Sequence, residues 1–258
     1  MKTETLQLDR KKNKIQFKDR FNLVEIENFL EKNDYQRLKE NFPSERYFSI
    51  PNEFAKSLND EHDQFNSFIN NSKIWKDFIG TINTKKFVDS IINFFNIKNI
   101  YFSKKSWKRF IPYYKEVKLS FCFNISKNGG YSLPHTDSSR KLASFVLFFV
   151  DETWNAKNGG YVNLYKPKNP LHENNWRNER IQKHYLEIIK TIIPSQNKVY
   201  GFKKTKNSYH SVEAVVEINS LYRKVLMFNL IYANSNDAPY ENLSFTKRII
   251  MNFLKIIK

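Results

Sequence analysis

The stretch GGYSLPHTDSSRKLASFVLFFVDETWNAKNGGYVNLY, residues 129–165, holds His135 and Asp137 two residues apart. In an extended segment alternate side chains share a face, and Pro134 biases Leu133 towards extended geometry. One imidazole and one carboxylate on a common face are two-thirds of a metal site. A third ligand must come from elsewhere in the fold, and His210, in YHSV, lies 73 residues beyond Asp137. Two imidazoles and a carboxylate on one face of a metal suit ferrous iron and leave positions open for other ligands. Each residue also has an ordinary reading. His135 after Pro134 could cap a turn, Asp137 before two serines suits an Asx turn, and His210 could end a strand.

Four further features follow in order. Gly159 and Gly160 open a strand after an apolar run; as glycines they also permit a tight turn there. The strand NKVYGF leads to His210, and the cation Arg223 lies 13 residues past that histidine. Trp154 sits in the turn before the glycine pair and reads as a packing residue. Several independent levels agreeing by accident is the weaker explanation.

The elements that must position these groups are strands. From Val117 the chain runs through VKLSFCFNIS, KLASFVLFFVD, GGYVNLYKP, NKVYGFKKT, YHSVEAVVEI and YRKVLMFNLIYA, short β-branched and aromatic runs mostly bounded by turn residues. Six runs at this spacing predict a sandwich, jelly roll or barrel. An abundance of aromatics, 23 Phe and 14 Tyr, suits such half-buried pleated surfaces. Between 167 and 193 lies an interruption, polar first and then helix-like, long enough to form a lid or rim. The first hundred residues read mainly as helix: residues 22–43 place Val24, Ile26, Phe29, Leu30 and Leu38 at roughly helical spacing before Pro43. Residues 72–97 repeat the pattern, with Ser72 as N-cap and Ile74, Phe78, Ile82, Phe87, Ile91 and Phe95 as the apolar face.

The ordered string PHTD, RKLASFVLFFV, W, GG, a strand ending in Phe202, YHSV and YRKVLMF resembles the 2-oxoglutarate- and Fe(II)-dependent oxygenases, in their prolyl-hydroxylase-like branch, from about Lys118 to Tyr232. The resemblance implies a mostly β fold with α, a double-stranded β-helix (jelly roll) core with N-terminal helices packed against it. It implies one oxygenase domain over 1–258: a helical layer over 1–100, the core over 117–235 and a basic tail over 236–258. His135, Asp137 and His210 would bind Fe(II), and Arg223 would pair with the distal carboxylate of 2-oxoglutarate, a task suited to its forked donors. Lys224 is the rival cation, and alternation lets only one of the two point inward; Val225 and Met227 beside Arg223 favour it. No catalytic residue is implied beyond the metal site. Relatives often carry a Tyr on the strand that here reads FVLFFV, so a hydroxyl near the co-substrate must come from elsewhere, with Tyr131 as the candidate. The spacing from His210 to Arg223 is a few residues longer than usual, implying a longer hairpin through VVEINSLY.

The implied activity consumes O2 and 2-oxoglutarate, with ascorbate as a reductant, releases succinate and hydroxylates an unactivated C–H bond. A carboxylate at Asp137, rather than the small residue of halogenating relatives, points to hydroxylation. The substrate could be a peptidyl residue, an amino acid or a saccharide, with Trp176 and Tyr185 of the interruption as candidate contacts. His62, His172 and His184 lie outside the pattern.

A net charge of +17 invites a nucleic-acid partner, and basic clusters occur at 9–20, 103–118 and 246–258. None carries a zinc-finger, RNP or glycine-rich phosphate signature, and exposed lysines usually form a solvated face. A small-molecule or peptidyl substrate is expected over specific nucleic-acid binding. A nucleic-acid-directed oxygenase and a non-enzymatic jelly-roll module with a vestigial site are the competing readings. Cys122 is the one cysteine, so no intramolecular disulfide forms, and LSFCFNI marks it as a buried strand thiol. The start MKTETLQLDRKK lacks the apolar centre of a signal peptide, and the longest apolar run, 142–150 broken by Ser144, is too short to span a bilayer. A cytoplasmic protein without a membrane span is expected.

Overall fold

Strand alternation organises the molecule. In the computed structural model, which describes residues 21–48, 55–102, 106–110, 114–173, 175, 178–216 and 221–234, eleven strands and four α-helices form. They are β1 (Val24–Ile26), α1 (Lys32–Glu40), β2 (Ala55–Asn59), α2 (Asp63–Asn71), α3 (Lys73–Ile82), α4 (Lys85–Phe94), β3 (Ile100–Phe102), β4 (Lys115–Ser126), β5 (Ser132–His135), β6 (Lys141–Phe148), β7 (Val162–Pro167), β8 (Leu186–Ile192), β9 (Val199–Lys203), β10 (Tyr209–Val212) and β11 (Arg223–Tyr232). The large sheet runs β1-β9-β6-β11-β4-β2, with β3 also paired to β4; the small sheet runs β5-β10-β7-β8. The two sheets face each other as a jelly roll, and their inner faces share Val146, Phe148, Val162, Leu164, Tyr200, Phe202 and Val225 in one buried cluster.

The outer face of the large sheet carries the opposite residues of each strand. Phe121, Phe123 and Ile125 of β4, Phe145 and Leu147 of β6, and Leu226, Phe228 and Leu230 of β11 are buried beneath the helices. Trp75 of α3 is the keystone, its ring 4.7 Å from Phe123 and 5.4 Å from Phe149. The apolar outer face of β11 is therefore explained by helical cover, while its inner face is free to line a site.

Three expectations need correction. Residues 22–43 are not one helix: VEI forms β1 and pairs with β9, and α1 begins only at Lys32. The edge of β9 supplies hydrogen-bond partners that outweigh a loose helical periodicity, and two β-branched residues flanking Glu25 suit the pleat. Residues 72–97 are two helices, broken at Asn83–Thr84; Thr84 caps α4 by accepting from the Phe87 amide at 3.3 Å, whereas Ser72 makes no capping bond. The helix-like end of the interruption is β8, paired with β7 from Val162↔Ile192 to Pro167↔Leu186. Its isoleucines and threonine fit an edge strand as well as a helix, and non-local pairing decides. β1, β2 and β3 thus bring strands from the first hundred residues into the sheet. The clusters at 9–20 and 246–258 lie outside the described residues. Cys122 is buried, as expected, and burial pushes its thiol up to about 11. Among the described residues no helix is long and apolar enough to cross a membrane.

Candidate metal centre

His135 ends β5, the edge strand of the small sheet, and His210 lies beside it on β10; the two are Cα partners across the ladder. Their rings consequently stand 4.4 Å apart. Asp137 does not arrive by strand alternation, since β5 has already ended. It adopts φ +69°, in the left-handed region that Asp visits more readily than most residues. This turn carries its carboxylate back between the imidazoles, with Oδ1 3.7 Å from His135 Nε2 and Oδ2 3.8 Å from His210 Nε2. Ligand atoms of the three residues all lie within 4.8 Å of one another.

Hydrogen bonds fix the tautomers. His135 Nδ1 lies 2.8 Å from the Leu133 carbonyl and His210 Nδ1 3.0 Å from the Ser208 carbonyl. A carbonyl can only accept, so each Nδ1 carries the proton and each Nε2 presents a lone pair inward. Burial pushes His210 down to about 4, helped by the neighbouring His135 and opposed by Asp137, so its imidazole is neutral near pH 7. Burial alone would raise the Asp137 carboxyl, but Lys141 and the two imidazoles hold it well below the usual carboxylate range. Deprotonated ligands aimed at one point are what a divalent metal requires. Asp137 also accepts from Lys141 Nζ at 2.8 Å on Oδ1 and from Ser144 Oγ at 2.9 Å on Oδ2.

The triad opens into a cavity of about 260 Å³ between the sheets, whose walls include Arg223, Val225, Met227 and Asn229 of β11. Arg223 points inward, 4% exposed. Its Nε donates to the Gly160 carbonyl at 2.8 Å and its guanidinium lies over Phe148, 5.3 Å from the ring centroid. Among the described residues no carboxylate pairs with it, and burial lowers its pKa. Lys224 takes the other face, 5.7 Å from the Phe42 ring. Gly159 and Gly160, at φ +62° and +63°, make the approach: a Cβ on Gly160 would sit 2.8 Å from Arg223 Cδ and 3.3 Å from Trp154. Trp154 is buried against this turn.

Tyr131 lines the mouth of the cavity and is 63% exposed. A second hydroxyl, Tyr200 on β9, faces the same cavity from a buried position near Arg223. Sequence reasoning missed it, although alternation within VYGF places Tyr200 on the face of Phe202, whose ring is 5.0 Å from His210. Asn229 was also missed: it is 7% exposed, lines the cavity, and its carboxamide makes no hydrogen bond to another described residue. Tyr185, expected near substrate, packs with tilted rings against His172 and His184, centroids at 4.4 and 3.8 Å, and is not part of the cavity wall. Trp176 lies outside the described residues. The interruption does border the site, since Thr136 Oγ1 donates to the Asn175 carbonyl at 2.6 Å and the Ile181 amide to the Pro134 carbonyl at 3.1 Å. A larger hollow of about 470 Å³ beside Arg37, Arg46 and Lys73 lies on the helical layer, away from the triad.

Residues 121–224 match the family model of the 2OG-Fe(II) oxygenase superfamily. This segment is a 2OG-Fe(II) oxygenase core. The resemblance drawn from the motifs therefore stands, and the enzyme class with it, an oxidoreductase dependent on Fe(II), 2-oxoglutarate and O2. No curated protein matches the chain significantly. In fold the chain is similar to a prolyl 4-hydroxylase of Phytophthora capsici, at 14% identity over 99% of this chain and 72% of that one, with a TM-score of 0.52. It is similar also to SnoK, a non-haem alpha-ketoglutarate-dependent carbocyclase of nogalamycin biosynthesis, at 12% identity over 89% of each chain and a TM-score of 0.51.

Proposed function

We propose that the oxygenase hydroxylates an unactivated C–H bond of a peptidyl, amino-acid or saccharide substrate, with His135, Asp137 and His210 holding Fe(II) and Arg223 holding 2-oxoglutarate. The observation that carries this reading is a buried guanidinium, with no carboxylate partner among the described residues, in the same cavity as the triad. An unpaired buried charge is expensive, and a ligand carboxylate offers it two parallel hydrogen bonds.

The donor set fits iron: two Nε2 lone pairs and one carboxylate, each fixed by a bond on its far side. Bound iron supplies the oxidising chemistry, coupled to conversion of 2-oxoglutarate to succinate. The chain's own residues orient and enclose. Leu133 and Ser208 carbonyls hold the imidazoles in the ligating tautomer. Arg223, aimed by the Gly160 carbonyl, binds the distal carboxylate, and Tyr200 or Tyr131 offers it a hydroxyl. Val146, Phe202, Val225 and Met227 give the cavity an apolar wall that limits water. Asn229, on the wall beyond Met227, is available to the substrate. The cavity, just under the roughly 300–1,000 Å³ of drug-sized sites, leaves room beside 2-oxoglutarate for one small group.

An anaerobic titration with Fe(II) and 2-oxoglutarate tests the reading: a weak visible charge-transfer band should appear only with both present, and with Fe(II), ascorbate and O2 succinate should form. His135→Ala, Asp137→Ala and His210→Ala should each abolish the band and turnover with the far-UV spectrum unchanged. Absence of both band and succinate in the unaltered protein would leave only the vestigial module; turnover that survives His210→Ala would remove the third ligand.

A further inference from the structure

Each oxygen of the Asp137 carboxylate accepts from one protein donor: Lys141 Nζ at 2.8 Å on Oδ1 and Ser144 Oγ at 2.9 Å on Oδ2. A carboxylate oxygen keeps a second lone pair, so a metal could share it with either donor, but only Lys141 sets a positive charge beside the position of a bound cation. Ser144 sits inside β6, buried, in register with Asn229 of β11. Lys141 is the first residue of β6, with its side chain 25% exposed. The β6–β11 register slips between Leu230, opposite Ala143, and Ile231, opposite Lys141. A slip of this kind re-aims a side chain, and here Lys141 lines the cavity beside Asp137. The tight turn closed by the Lys141 amide on the Ser138 carbonyl, 3.1 Å, completes the arrangement. Lys141 is thus the donor with both the freedom and the space to move.

We infer that Lys141 is a resident opponent of the metal: its ammonium, 2.8 Å from Asp137 Oδ1, already neutralises the carboxylate on which a divalent ion depends, and the lysine holds the site's metal affinity down. The inference rests on the reading of His135, Asp137 and His210 as the metal ligands. Charge decides its direction. With each Nε2 turned inward as a ligand, the ligand set carries the one negative charge of Asp137, which the ammonium cancels. An ammonium about 5 Å from a divalent ion disfavours it by roughly tenfold or more even with the screening of bulk water. A lysine that merely positioned the carboxylate would act the opposite way, since its loss would loosen a ligand and weaken binding.

Mn(II) affinity, read by the electron-paramagnetic resonance of free ion or by calorimetry at constant pH and salt, separates the two. Lys141→Gln, which keeps a hydrogen-bond donor, and Lys141→Met should each bind Mn(II) at least tenfold more tightly than the unaltered protein, Lys141→Arg about equally, and Ser144→Ala no more tightly. Melting curves identify any variant that fails to fold; Lys141→Gln then stands in for Lys141→Met. Equal or weaker binding in the folded uncharged variants overturns the inference. If instead Asp137→Ala and His135→Ala bind Mn(II) as well as the unaltered protein, the triad itself is not the metal site.

Discussion

Replacing Arg223 by Met should move ligand affinity and stability in different directions. The guanidinium is 4% exposed, donates one hydrogen bond to Gly160 and lies 5.3 Å from the centre of the Phe148 ring. A buried charge carries an effective desolvation penalty of several kcal/mol. Against this stand one charge-assisted hydrogen bond, about 1.5–3 kcal/mol, and a desolvated cation–π contact, about 2 kcal/mol. The opposing contributions nearly cancel, so ligand-free Arg223→Met should melt within a few degrees of the unaltered protein, at about 2–4 °C per kcal/mol for a chain of this size. Binding has no such compensation. A bidentate pair with a ligand carboxylate is worth about 2–4 kcal/mol, so 2-oxoglutarate affinity should fall by roughly thirtyfold to a thousandfold. A thermal-shift series in Mn(II) measures both: 2-oxoglutarate at a hundred times the Kd of the unaltered protein should raise that protein's stability by about 2.7 kcal/mol, and the variant's by less than about 1 kcal/mol. Equal ligand-induced shifts in the two proteins would refute Arg223 as the carboxylate anchor. A large loss of ligand-free stability would refute the unpaired state of the guanidinium.

Gly160→Ala should weaken 2-oxoglutarate binding by about tenfold and lower the melting temperature, because its Cβ meets Arg223 Cδ at 2.8 Å in a left-handed backbone; unchanged affinity would dissociate the turn from the anchor. Gly201→Ala puts a Cβ 2.2 Å from the Phe145 ring on the helical side of β9, so it should destabilise by about 1–3 kcal/mol while Mn(II) affinity is kept. Cys122 should resist thiol reagents at pH 8 in the folded protein and react on denaturation. Burial raises its thiol from 9.0 to about 11, so its contribution to stability is full below about pH 9 and falls as pH rises towards 11. Cys122→Ala should remove that alkaline loss in denaturant titrations.

The two histidines of the candidate metal site were legible because each lies on a short strand marked by its own composition, and β5 and β10 then pair His135 with His210 directly. Arg223 was legible by alternation: its inward face continues through Val225 and Met227, while Leu226 and Phe228 face the helices. The route by which Asp137 reaches the site was not legible. Alternation predicts a common face for residues 135 and 137, but the strand stops and a positive φ does the work. β1 and β8 were hidden for a related reason. Three and seven residues with isoleucines at ambiguous spacing fit either period, and only the partner edges of β9 and β7 settle the choice. Tyr200 and Asn229 were polar residues inside apolar runs, visible only once each strand's inward face was known. Lys141 could not be read at all, since its aim depends on a register slip against a strand some ninety residues away.

With Arg223 as the proposed co-substrate anchor, the inner face of β11 would divide the cavity between two molecules. Arg223 and Asn229 are six residues apart on one strand, about 20 Å at the rise of an antiparallel strand. A five-carbon dicarboxylate extends only about 6 Å at C–C bonds of roughly 1.5 Å, and the arginine side chain does not close the remainder. A co-substrate anchored at Arg223 therefore cannot also occupy Asn229. The triad lies towards the Asn229 end, because Ser144, which holds Asp137, is the ladder partner of Asn229. On the proposed reading this carboxamide, without a hydrogen bond among the described residues, borders the reacting position on the side away from the co-substrate. Its donor and acceptor are matched by an amide or a hydroxyl of a second ligand. Asn229→Leu should then leave Mn(II)-dependent 2-oxoglutarate binding within about twofold of the unaltered protein, and a larger loss would place the co-substrate at the wrong end of the strand.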